Sequence, residues 1–172
     1  MEKTIDPAHE IGENVTITDR SQLLSITPEQ AKKIKSLRIE NQDIDDEFSG
    51  FLGSLGALDS LYFYKCKVDG RTLMNVCDCS ALGVIDCALT YMGAVWLLPR
   101  IKDWFWLETL DLSHNMIGND ADMFFKWWRY EIFGRACVKE LILADNHFPS
   151  DSALLSDFKD ACSTYGGTRV VF

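Results

Sequence analysis

The sequence predicts an α/β fold: short parallel strands stacked in chain order, each returning through a helix or 3₁₀ turn, as one solenoid. Three observations predict it. Apolar residues recur at positions 1, 4, 6 and 11 of an eleven-residue frame that appears five times from residue 34 onward. Asn115, Asn146 and Cys66 occupy position 9 of three frames. Helix-start signatures fall between the frames.

Residues 1–33 read as an N-terminal capping segment. Asn14-Val15-Thr16-Ile17 alternates like a strand and lies 22 residues before Ile39. Thr27 is an N-cap, Pro28 suits the first helical position, and Gln30 completes a capping box, so a helix is expected near 28–34. Residues 34–172 carry the frames, in one domain. IKSLRIENQDI places Ile34, Leu37, Ile39, Gln42 and Ile44 at positions 1, 4, 6, 9 and 11. LDSLYFYKCKV places Leu58, Leu61, Phe63, Cys66 and Val68 there, and LGVIDCALTYM places Leu82, Ile85, Cys87, Thr90 and Met92. LETLDLSHNMI from Leu107 and VKELILADNHF from Val138 follow most closely. A truncated frame, GTRVVF from residue 167, puts Val170 and Phe172 at positions 4 and 6. The starts at 34, 58, 82, 107, 138 and 167 are 24, 24, 25, 31 and 29 residues apart.

The pattern has a physical cause. Positions 4 and 6 point to one face of a strand, and that face enters the core. An Asn at position 9 bonds backbone groups of the turn that follows, where no strand neighbour exists. Gln42 and Thr90 at that position predict a weak or irregular ladder in their repeats. Between frames, Gly50, Gly53 and Gly56 predict a tight, irregular segment. Ala88 to Pro99, twelve apolar-rich residues, is too short to span a bilayer and reads as part of a buried strand and helix. Asn119 or Asp120 caps a helix reaching about Phe133. Ser150 or Asp151 caps another through Leu154, Phe158 and Ala161, ending near Gly166-Gly167.

The unit resembles the leucine-rich repeat, L-x-x-L-x-L-x-x-N/C-x-L, over residues 34–172. The resemblance implies a short horseshoe with the parallel sheet on its concave side and helices or 3₁₀ turns on its convex side. It also implies a role in protein recognition.

Composition narrows the function classes. A net charge of −9 argues against nucleic acid and anionic membrane surfaces as ligands. The polar, acidic N-terminal stretch MEKTIDPAHEIGEN lacks the apolar run of a secretory signal, so a reducing compartment, cytoplasmic or nuclear, is expected. An organellar matrix is the alternative. The six cysteines are then free thiols. Cys77-Asp78-Cys79 lacks zinc-site spacing, and no glycine-rich phosphate loop is present. His114 has Asp111 nearby but no identifiable nucleophile. The chain is expected to be no enzyme and to hold no cofactor or metal.

The expected partners are one or more proteins in a hetero-complex, without nucleic acid and without membrane insertion. Two surfaces are candidates. Arg38, Tyr62, Tyr64, Asp86 and Asp111 fall at outward strand positions, with Asp86 expected beside Asp111 as half a cation site or a pair of solvated acids. FFKWWRYEIF, residues 124–133, carries more aromatic bulk than one core stripe needs. At roughly 100° per residue, Phe124, Phe125, Trp128 and Ile132 share one arc, while Trp127 and Tyr130 lie opposite and Phe133 to one side. Ile101, Trp104 and Leu107 keep core spacing, which leaves Trp106 or Phe105 outside. The strand through Val171 is expected to lack cover, so a partner can pair there. The favoured role is a small subunit, adaptor or assembly factor. The alternative is an effector or inhibitor that blocks a target with the concave face.

Overall fold

In the computed structural model, residues 12–69, 71–133, 137–149 and 153–172 are described. The proposed caps Ser150 and Asp151 lie outside them, as do the first eleven residues.

The chain opens with β1 (Asn14–Ile17), α1 (Arg20–Leu24) and α2 (Pro28–Ala31). Both helices start on full capping boxes, Asp19 with Gln22 and Thr27 with Gln30. Then follow β2 (Ser36–Glu40), β3 (Asp43–Ile44), α3 (Asp46–Ser54), β4 (Leu58–Tyr64) and β5 (Lys67–Val68). A 3₁₀ turn (Thr72–Asn75) leads to β6 (Cys79–Ile85) and α4 (Tyr91–Ile101). Next come β7 (Thr109–Asp111), a 3₁₀ turn (Ile117–Asp120), α5 (Ala121–Glu131) and β8 (Glu140–Ile142). The last elements are α6 (Ala153–Ala161), a π turn (Cys162–Gly166) and β9 (Arg169–Val171).

Seven strands form one parallel sheet in chain order, β1-β2-β4-β6-β7-β8-β9, and β3 pairs with β5 beside it. Alternate residues of the strands, such as Leu37, Ile39, Leu61 and Phe63, are fully buried, and they share one core with the helices' buried residues. Their neighbours at the other parity are half-buried, so the far face of the sheet is open.

The pairing corrects the third frame. Leu82 pairs with Leu61 and Val84 with Phe63, so these two residues, not Ile85 and Cys87, fill positions 4 and 6. The frame begins at Cys79, which pairs with Leu58, and places Cys87 at position 9 and Leu89 at position 11. The sequence offers two overlapping apolar sets three residues apart, and only strand pairing selects between them. Thr90 instead caps α4, its side chain accepting from the Gly93 N–H at 3.4 Å.

The ladder also differs from expectation. Asn115 Oδ1 accepts from the backbone N–H of Cys87 (3.0 Å) and Leu89 (2.9 Å), and its Nδ2 donates to the carbonyls of Val84, Leu112 and Ser113. Asn146 repeats this one strand on, donating to Leu112, Leu143 and Ala144 and accepting from Ile117. Cys87 Sγ donates to Ile85, and Cys66 Sγ to Ile39. Gln42 keeps the ladder going at its exposed end, donating to Thr18, Glu40 and Asn41. Its amide does the work of Asn with a longer reach.

Position 8 carries a further regularity. Asn41, Lys65, Asp86, His114 and Asp145 all have positive φ, between 52° and 57°. The chain turns there through the left-handed region so that the next side chain folds under the strand ends.

Two local expectations are corrected. Gly50 and Gly53 lie inside α3, a regular helix whose N-cap Asp45 accepts from Glu47 and Phe48. The helix forms there because Phe48 and Leu52 are drawn into the core on one face. Asp120 precedes α5 without a side-chain cap bond, since the 3₁₀ turn already enters the helix.

Candidate functional site

α5 divides its aromatics as the helical arc requires. Phe124, Phe125 and Trp128 are buried, and Ile132 just beyond the helix is buried with them. Phe125 stacks on Phe158 of α6 with centroids 4.0 Å apart. The opposite arc is open: Trp127 is 36% exposed and Tyr130 69%. Their rings meet edge to face at 5.9 Å, so the pair forms one outward ridge.

Beside this ridge runs a cleft of about 700 Å³. Phe125, Trp127 and Tyr130 of α5 and Leu154 of α6 supply apolar surface, while Asp122, Lys126 and Arg129 add charged groups. Asp122, Lys126 and Arg129 share a stripe at i, i+4 and i+7. Lys126 and Arg129 form no ion pair among the described residues. Leu154 and the two cations are absent from the sequence-based candidates. The cations lie between Phe125 and Tyr130 on the helical wheel and were legible there, whereas Leu154 comes from another helix.

The other aromatic candidates are placed apart. Trp106 is 73% exposed, in the turn after α4, and does not line the cleft. Phe133 is half-buried, packs on the core and faces Tyr165 with centroids 6.5 Å apart. Val171 is half-buried on β9. Among the described residues β9 is the last strand of the sheet and pairs with β8 alone, while Phe172, edge-on to Phe148 at 5.4 Å, and Thr168 Oγ1, donating to the Val138 carbonyl at 2.7 Å, tie it to the preceding repeat.

On the open sheet face, Arg38 pairs with Tyr62 across β2 and β4. The Arg38 guanidinium also lies 4.9 Å from the centre of the Tyr64 ring and pairs with Glu40. Lys65 approaches the same ring at 5.2 Å. The Tyr62 ring lies over Gly83 of β6, where a Cβ would meet it at 2.3 Å. Burial, and then the Asp111 carboxylate, hold the Tyr62 hydroxyl above its ordinary range.

The expected Asp86–Asp111 neighbourhood does not form. Asp111 pairs with Gly83, and its carboxylate accepts from the Ser113 N–H at 2.9 Å. Asp86 lies beyond the end of β6 in the left-handed turn and faces Lys65 at 3.9 Å. The three-residue frame shift is the reason. Among the described residues, no group of three or more His, Cys, Asp or Glu side chains converges as a metal site would.

No known protein-family profile matches the chain, and no curated protein matches it significantly. Among the described residues, no helix is long and apolar enough to cross a membrane.

Proposed function

We propose that the chain is a leucine-rich-repeat solenoid that acts as a non-enzymatic protein-interaction module, a small subunit, adaptor or assembly factor of a larger complex. Chain-order stacking, the Asn/Cys ladder and the recurring left-handed position 8 support the repeat reading. One observation carries the functional reading. The core stripe of α5 is full without Trp127 and Tyr130, yet these two stand outward beside an apolar cleft. A large exposed aromatic surface of this kind marks an interaction site. Six free thiols support a reducing compartment, cytoplasmic or nuclear.

The test combines Trp127→Ser with Tyr130→Ser. Tyr130 is 69% exposed but Trp127 only 36%, so the double change is expected to cost about 1–2 kcal/mol, mostly from Trp127, and to leave the chain folded. Affinity purification with crosslinking mass spectrometry is expected to lose a partner whose crosslinks fall on α5 and α6. Collapse of thermal stability with an unchanged partner set would reassign both residues to the core.

A second reading, a blocker that binds its target through the concave face, draws on the Arg38, Tyr62 and Tyr64 cluster. It is the weaker one, because Arg38 is already engaged by Glu40 and the Tyr64 ring. Loss of target binding on Arg38→Ala and Tyr62→Ala, with none on the α5 changes, would favour it.

A further inference from the structure

We propose that the α5–α6 cleft receives an acidic amphipathic helix of a partner protein, with its apolar face on Trp127, Tyr130 and Leu154 and its carboxylates on Lys126 and Arg129. This rests on the protein-interaction reading and names the chemistry of the partner.

The shape argues for a helix. The cleft runs beside one helix and is closed by a residue of another, so an incoming helix adds a third to an existing pair. Apolar side chains at i, i+3, i+4 and i+7 would then fill it from one face. The charge argues for acid on that helix. The chain as a whole carries −9, so most of its surface repels an acidic segment. At this cleft two cations stand without an ion-pair partner among the described residues, on the stripe next to the aromatic ridge. Asp122 lies one turn before Lys126 and sets the direction, favouring a neutral or basic residue at that end of the incoming helix. A second copy of this chain is a poor occupant, because it would bring another −9 to the interface.

The test uses a displayed library of helical peptides with a fixed Leu/Phe/Trp stripe and flanks randomised among Glu, Gln and Lys. Selection is on the whole protein, and the selected peptides are then measured by fluorescence anisotropy. The expected binders are acidic. Trp127→Ser with Tyr130→Ser abolishes their binding. Lys126→Glu with Arg129→Glu weakens it by about tenfold or more, and peptides with Lys in place of Glu recover it on that variant. Binders that need Trp127 and Tyr130 but are neutral or basic would overturn the acidic partner while sparing the protein-interaction reading. If no binders appear, or if binding ignores Trp127 and Tyr130, the acidic-helix assignment fails. Were binding also to map to the sheet, the cleft-based functional reading would fail with it. Sedimentation of the protein alone is expected to show a monomer. Self-association abolished by the Trp127 and Tyr130 changes would assign the cleft to a second copy and overturn the proposal.

Discussion

Asn115 is the residue on which most backbone groups depend. One buried amide satisfies two N–H groups and three carbonyls at the ends of β6 and β7. Asn115→Ala therefore leaves several buried polar groups unpaired, each costing about 1–3 kcal/mol. A loss of about 3 kcal/mol or more is expected in urea denaturation. Gln42→Ala is expected to lose about 1 kcal/mol or less, because Gln42 is half-buried and water reaches the Thr18 and Asn41 carbonyls that it serves. Equal losses would show that the ladder is uniform along the sheet. Ala88 offers an opposite change. It is exposed and held at φ 53° with no polar side chain to offset the strain. Ala88→Gly is expected to raise stability by about 1 kcal/mol, since relief of the left-handed strain exceeds the entropy that glycine adds to the unfolded chain. A lower unfolding midpoint would contradict that balance.

At the scale of elements, α3 shows packing overriding propensity. Gly50 and Gly53 weaken it as an isolated helix, but Phe48 and Leu52 are anchored in the core and Asp45 caps its start. A Cβ at either glycine meets nothing within 4 Å. Gly50→Ala and Gly53→Ala are each expected to stabilise by about 0.5–1 kcal/mol, nearly additively, read as a rise in the thermal midpoint. No rise would mean that the helix frays at those turns. α5 behaves in the other direction. Its arc was legible residue by residue, because burial on a regular helix follows the 100° step. Its cleft was not legible, because Leu154 reaches it from a helix more than twenty residues away in sequence.

For the molecule as a whole, one continuous core makes stability sensitive to alkali. Burial pushes the Cys77 thiol up to about 11 and the Cys162 thiol up to about 12, against an ordinary 9.0. Folded-state values above the unfolded one mean that the folded chain holds these protons longer. Their contribution is intact below about pH 9 and is lost as pH rises toward about 12. Chemical denaturation is expected to show stability falling above about pH 9, with a shallower slope for Cys162→Ala. An unchanged slope in that variant would place the alkaline loss on other groups.

The sequence by itself determined the period, the capped helix starts and which arc of the aromatic helix is buried. These depend on residues a few positions apart, whose geometry the backbone dictates. Only the tertiary structure decided the register of the third repeat. Leu82 with Val84 and Ile85 with Cys87 are equally good apolar pairs in isolation. Pairing with Leu61 and Phe63, together with the bonds from Asn115 to the Cys87 and Leu89 N–H groups, selects the first. That choice separates Asp86 from Asp111 and brings Tyr62 over Gly83. The cleft was decided in the same way. Its charges and aromatics lie on one helix, but it closes only where α6 folds back against α5, a contact that no local pattern encodes.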